Sequence, residues 1–263
     1  SSYNKITGNV FINDGLYVSG GHDNTVVGNT VNGKPLAYLE GASGVVIDYP
    51  VGQVVAVKSK NIVVKGITIE NTSVGIQFYE TSNSRIENCV LKNNKYGIDF
   101  AYSSDNTVTN NTIVDNEYDG IVLYKSSDNT INSNTIAGNN GDGIYIQSSS
   151  NDNTLTNNVI AENWHGIDID ESSHNIISSN RIMYNVGTGM YLYGAYKNVI
   201  YNNLFNNTHN IDIEESGSNQ WNTTLARGVN IVGGNWIGGN YWDSPSGKGF
   251  SDICRDVEEP IGI

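Results

Sequence analysis

Asparagine recurs along this chain at a near-constant interval, and that interval decides the architecture. The unit reads Asn, four residues, Asn, an apolar stretch, then Gly-apolar-x-apolar. "NTVTNNTIVDNEYDGIVLYKSSD" (106–128) and "NTINSNTIAGNNGDGIYIQSSSND" (129–152) are two copies. The leading Asn falls at Asn4, Asn24, Asn61, Asn83, Asn106, Asn129, Asn153, Asn175 and Asn198, with gaps of 20, 37, 22, 23, 23, 24, 22 and 23. A 22–24-residue period without helical spacing means a solenoid, and the leucine spacing of leucine-rich repeats is absent. The expected fold is all-β: a right-handed single-stranded parallel β-helix, each repeat one coil of about three short strands, coils ~4.8 Å apart. Repeats are expected over 1–218, with an insertion at about 33–57; 219–263 reads as a last coil and closing segment.

Two further columns follow the leading Asn at steps of five. One holds Asn9, Asn29, Asn88, Asn111, Asn134, Asn158, Asn180 and Asn203; the other holds Asn71, Asn93, Asn116, Asn139, Asn163 and Asn185. Asn tolerates left-handed backbone, and its amides can bond one another along a stack. These residues are expected at coil corners. Between corners, period-2 alternation sends Ile76 and Phe78, Ile98 and Phe100, Ile121 and Leu123, Ile144 and Ile146, Ile167 and Ile169, Met190 and Leu192, and Ile211 and Ile213 inward.

Net charge is -13 and pI about 4.5. Lys and Arg are too few for a nucleic-acid partner, and no apolar run is long enough to span a bilayer within this segment. Cys89 and Cys254 form neither a disulfide framework nor a zinc spacing. The opening "SSYNKITGN" already lies inside the pattern, so a segment of a longer chain is expected.

The Asn-x-x-x-x-Asn coils with Gly-Ile-x-apolar strands, over about residues 4–218, resemble the NosD-like parallel β-helix repeats, whose wider class includes carbohydrate-binding proteins and sugar hydrolases. "GGNWIGGNYWDSPSGKGFSDIC" (233–254) resembles the GGNYW segment that closes such repeats in archaeal surface proteins. The resemblance implies a secreted or cell-surface location. It also implies a second Cys in an Asp-rich continuation, which this sequence lacks; Cys254 would pair beyond residue 263 or stay free. The family name carries a copper association, yet no Cys, Met and His cluster has copper-ligand spacing.

Two outward columns are expected to form one face. The first is Tyr17, Ala56, Gln77, Asp99, Val122, Tyr145, Asp168, Tyr191 and Asp212; the second is Ser19, Lys58, Tyr79, Ala101, Tyr124, Gln147, Asp170, Tyr193 and Glu214. From Tyr124 onward these give Tyr, Asp and Glu, which suit a glycan: rings stack on sugars and carboxylates bind hydroxyls. Trp164 and His165 stand at the margin. The candidate glycan-binding residues are therefore Tyr124, Tyr145, Trp164, His165, Asp168, Asp170, Tyr191, Tyr193, Asp212 and Glu214. A polar solvated face explains the same composition.

Candidate catalytic acids are Asp168, Asp170, Asp212 and Glu214. Asp168 and Asp170 are ~6.6 Å apart along a strand and Asp168 and Asp212 ~9.6 Å across two coils, near the ~6.5–9.5 Å of inverting glycosidases. No cofactor is required by these residues; calcium is the one ion the acids Asp168, Asp170, Glu171, Asp212, Glu214 and Glu215 could attract. Lys58 and Lys125 lie away from the acids, which disfavours a lyase. His165 and His209 occupy equivalent places two coils apart. Sequons at Asn71, Asn110, Asn206 and Asn222 add little in so Asn-rich a chain. Three functions stay open: binding a polysaccharide or cell-surface glycan, polysaccharide hydrolysis or epimerisation, and a passive surface-layer spacer with uncapped ends.

Overall fold

In the computed structural model, which describes residues 2–253, the chain is a parallel β-solenoid. Three sheets run along its axis among the described residues, one of eleven strands and two of eight. One coil shows the plan. Thr107–Thr109 lies in the second sheet, Thr112–Val114 in the third, and Ile121–Tyr124 in the broad sheet. Strands of these sheets pair in parallel with their counterparts one coil away, except that Thr30–Val31 runs antiparallel to Lys34–Glu40; Ile98, Ile121, Ile144, Ile167, Met190 and Ile211 are successive register partners.

The core is a stack of like on like. Ile86, Val108, Ile131, Leu155, Ile177 and Ile200 form one fully buried column, and Leu91, Ile113, Ile136, Ile160, Ile182 and Phe205 another. Phe78 and Phe100 stack at 5.0 Å with parallel rings. Burying each such side chain contributes roughly 1.5–3 kcal/mol. The inward residues expected from alternation are buried as far as Leu192. Ile211 is only partly buried and Ile213 is 46% exposed, a correction that follows from their place in the last strand of the broad sheet, where no further strand of that sheet covers them.

The Asn columns do form ladders, but not for the expected reason. Left-handed backbone sits at the residue before each rung: Asp105, Asp128, Asp152, His174 and Lys197 precede Asn106, Asn129, Asn153, Asn175 and Asn198. The rungs themselves are buried and point in. Each Oδ1 accepts the backbone N–H of the rung one coil earlier, as Asn129 does from Asn106 at 3.0 Å and Asn158 from Asn134 at 3.0 Å. Most Nδ2 groups donate onward as well, Asn134 to Asn158 Oδ1 and Asn158 to Asn180 Oδ1, whereas those of Asn94 and Asn106 bond main-chain carbonyls. The ladders thus satisfy main-chain groups that the corners would otherwise leave unpaired in the interior. Five expected rungs are displaced by one residue. Asn61, Asn83, Asn88, Asn71 and Asn93 adopt left-handed backbone, while Ile62, Ser84, Cys89, Thr72 and Asn94 take the ladder positions. A further ladder of hydroxyls runs through Ser59, Thr81, Ser103, Ser126, Ser150 and Ser172.

Both ends depart from expectation. The insertion at 33–57 contains coil: Lys34–Glu40 and Gln53–Val57 are consecutive strands of the broad sheet, and Val46–Ile47 belongs to the second. "GLYVS" (15–19), in contrast, is no strand of the stack. It lies across the outer surface as a strap. Gln53 accepts from the Leu16 N–H at 2.9 Å and donates to the Leu16 carbonyl at 2.7 Å; Gln77 does the same for Val18 at 2.8 and 3.1 Å. Near the other end, Asn240 accepts the Asn203 N–H, Tyr241–Asp243 pairs with Leu204–Asn206, and Trp242 stacks on Phe205 at 4.7 Å. The third-sheet side of the core is therefore covered there, correcting the expectation of uncapped ends. Cys89 is a buried free thiol; Cys254 lies outside the described residues.

Candidate functional site: an acidic and aromatic face

The outward surface of the broad sheet is a grid, set by strand register. One column runs Val55, Gln77, Asp99, Val122, Tyr145, Asp168, Tyr191, Asp212; its neighbour runs Val57, Tyr79, Ala101, Tyr124, Gln147, Asp170, Tyr193, Glu214. Ala56 and Lys58 are thereby corrected. Ala56 pairs with Phe78 in the core column, and Lys58 sits at a left-handed corner facing Glu80 at 3.9 Å. Tyr17 and Ser19 also leave the columns, because they belong to the strap. Beneath the strap Gln53, Val55, Val57 and Gln77 are fully buried. From Tyr145 to Tyr193 the face is half-buried and open.

A third column, of which the sequence disclosed only His165 and His209, flanks the grid. It holds the residue before each strand-opening Gly, or before Asn210 in the last coil: Tyr96, Asp119, Asp142, His165, Thr188 and His209, aligned by the main-chain bonds between successive coils. Its side chains form a ladder of opposite sense. Asp119 Oδ1 accepts the Asp142 N–H at 2.7 Å, Asp142 Oδ1 accepts the His165 N–H at 3.2 Å, and His165 Nδ1 accepts the Thr188 N–H at 3.1 Å. The repeated Asp-Gly-Ile at 119–121 and 142–144 was the available signal for the two acids.

This column brings Asp142 against Asp168. Burial, then the Asp119 charge, pushes Asp142 up to about 7. Burial, then the charges of Asp142 and Asp170, pushes Asp168 up to about 8, and the two carboxyls hydrogen-bond each other. Two like charges in so small a space cannot both ionise cheaply, so the pair holds a proton near neutral pH. Asp168 Oδ1 and Asp170 Oδ1 are buried oxygens with no protein partner, while the Tyr145 hydroxyl reaches Asp170 Oδ2 at 3.4 Å. Burial lowers His165, whose ring stacks on Tyr191 at 5.4 Å and meets the half-exposed Trp164 edge-on at 5.8 Å.

The other expected residues spread outward from this centre. Asp212 and Glu214 are exposed in the last strand, with Tyr191 between Asp168 and Asp212 in the register. Asp168 and Asp212 thus stand two coils apart, and Asp142 is the acid that meets Asp168. Tyr193 stands half-buried beside Glu215. Tyr124 forms an edge with Tyr102 and Lys125, whose ammonium lies 5.2 Å from the Tyr124 ring. Among the described residues no three His, Cys, Asp or Glu side chains converge to hold a metal ion, and Glu171 and Glu215 sit at left-handed corners past the strand ends. Toward the strap the face deepens into a cleft of about 480 Å3 whose lining includes Tyr17, Tyr96, Asp99, Tyr102, Asp119 and Tyr145.

The sequence matches the family described as "Periplasmic copper-binding protein (NosD)" over residues 40–167 and 148–247. The chain belongs to the NosD family. No curated protein matches it. The solenoid of this NosD-family chain is similar to the periplasmic alginate epimerase AlgG, with TM-score 0.57 and 18% identity over 76% of this chain and 60% of that one. It is also similar to pectate lyase Pel9A, at TM-score 0.51 and 15% identity over 83% and 68%. A third similar structure is the Dettilon tailspike protein gp208, at 0.51 and 17% over 81% and 51%. At such identities the likeness is one of fold, and this chain spans about 60% of the epimerase's length.

Proposed function

We propose that this chain is an extracellular or cell-surface glycan-binding solenoid, and that the face from Tyr124 to Glu214 is its binding surface. The observation that carries the reading is the register itself, which sets Tyr145, Tyr191 and Tyr193 among Asp168, Asp170, Asp212 and Glu214 on one open face. Aromatic rings offer sugar-stacking planes, and carboxylates bond hydroxyls. The solved relatives named above include proteins titled for alginate and pectate, which makes a polysaccharide the natural class of partner. The three columns carry no Lys or Arg from Tyr96 to Glu214, so an uncharged or amino-bearing polysaccharide fits better than a uronate. An array of neutral, amino and uronate glycans tests this. Binding confined to the uronates, or no binding, would sink the reading.

One observation favours catalysis as a second reading. Asp142 and Asp168 hold a proton near neutrality in the middle of the face, beside a neutral His165, which is the environment of a general acid. A reducing-sugar release assay on the bound glycan separates the two. Turnover abolished by Asp168→Asn supports the second reading; binding without turnover leaves the first.

The family description raises copper, and the donors present do not fit it. Cys89 is buried, with its thiol on the Val64 and Glu87 carbonyls. Met190 is wholly inside the core, and the Nδ1 of His165 is occupied by the Thr188 amide. A soft, accessible cluster of Cys, Met and His is what copper selects, and these side chains point to separate places. No step is derived through the metal.

A further inference from the structure

We infer that this protein holds its glycan by a chain end, in the cleft where the strap meets the face. The inference rests on the glycan-binding reading and adds a direction to it. The columns of the broad sheet are continuous, but their accessibility is not. Beneath the strap Val55, Val57 and Gln77 are fully buried, whereas Tyr145, Asp168 and Tyr191, farther along toward Glu214, are open. A linear polymer lying along the axis can therefore leave the cleft toward Glu214 and cannot pass the strap.

The barrier is held firmly. Gln53 and Gln77, both fully buried, each clamp one strap residue through its N–H and its carbonyl. Gly15 packs so closely on Thr72 and Gln53 that any side chain there would collide with them. Four main-chain bonds to buried amides make opening costly, since each would leave a desolvated group unpaired. Val18 adds an apolar contact to the outward cluster of Val55, Val57 and Tyr79.

The end wall is shaped for a sugar. Tyr17 stands half-exposed at the cleft, which it lines together with Asp99. Asp99 is itself buried and held by the Gln77 amide at 3.0 Å. Tyr102 and Tyr96 flank it, so a terminal ring would meet aromatic planes and a fixed carboxyl rather than solvent. The cleft volume of about 480 Å3 lies within the range of small-ligand sites. End recognition also gives the grid a reason to change character along the axis: enclosed and aromatic near Tyr17, open and acidic toward Glu214.

The test is a titration of the whole chain with dextran and with chitosan, each in a short and a long fraction compared at equal mass. End binding predicts that the mass needed for saturation grows in proportion to chain length, because only ends count. Saturation at the same mass for both fractions overturns the inference while leaving the glycan-binding reading intact. No binding by either polymer overturns both. Tyr17→Ala, at an exposed position that leaves the clamps in place, is expected to weaken the short fraction several-fold with an unchanged melting curve. An unaltered affinity contradicts the end site.

Discussion

The backbone N–H of Thr188 donates to Nδ1 of His165 at 3.1 Å, which leaves the imidazole neutral with its proton on Nε2. Burial lowers its affinity for a second proton. Gly187 makes the arrangement possible, because a Cβ there would lie 2.8 Å from Cε1 and 2.9 Å from Nδ1 of the ring. Gly187→Ala is expected to drive the ring off Tyr191 and return His165 toward its ordinary pKa of about 6.5. Titration of the His165 ring protons by NMR checks this; an unmoved midpoint would contradict it.

Stability should fall as pH rises toward 8. The carboxyls of Asp142 and Asp168 are raised from 3.8 to about 7 and about 8. Below about pH 4 both the folded and unfolded chains are protonated there, and the full stability is present; through the window up to about 8 the unfolded chain ionises first, so stability drains away. Buried Asp99 and half-buried Asp119 are raised too and act with the same sign. Asp168→Asn should flatten this slope and raise Tm at the alkaline end, each 1 kcal/mol moving Tm by roughly 2–4 °C for a chain this size. Thermal melts across the window decide it, and a wild-type Tm that climbs with pH would be the wrong sign.

Neighbouring asparagines should differ sharply in cost. Asn158 is buried, accepts the Asn134 N–H at 3.0 Å and donates to the Ile131 carbonyl at 2.9 Å. Asn158→Ala orphans both, at ~1–3 kcal/mol each, and Tm should drop on the order of 10 °C. Asn157 beside it is exposed and left-handed, at φ 57. Asn157→Gly should stay within about 0.5 kcal/mol of wild type, since glycine adopts that backbone freely. Equal losses in the two melts would place the rung on the wrong residue.

The same contrast explains what the sequence could and could not disclose. The coil period, the inward apolar residues from Ile76 to Leu192 and the Tyr145–Asp168–Tyr191 column were legible, because one register repeats and alternation has only two faces. The rungs at Ser84, Thr72 and Asn94 were not, because position in the corner is set by main-chain geometry and Asn occurs on both sides of it. The strap was hidden because "GLYVS" carries the Gly-apolar-x-apolar signature of a true strand. Asp142 escaped notice for a different reason: attention to strand interiors misses a residue that reaches the face from the corner before them.

Core and end positions of one column should also respond unequally. Ile144→Asp places a carboxylate in a fully buried site, a cost of several kcal/mol that should leave no cooperative melt. Ile213→Asp, 46% exposed in the last strand, should melt within a few degrees of wild type. Circular dichroism on the two variants checks the assignment of faces. A folded Ile144→Asp protein with an unchanged melt would mean the register is wrong.

The most direct test of the glycan face removes its rings and its central acid together. The variant Tyr145→Ala, Asp168→Asn, Tyr191→Ala changes only outward, half-buried side chains, so its melting transition should persist. Titration calorimetry with the glycan that binds best on the array should show wild-type binding and none by the variant. A folded variant that binds as tightly as wild type would contradict the account.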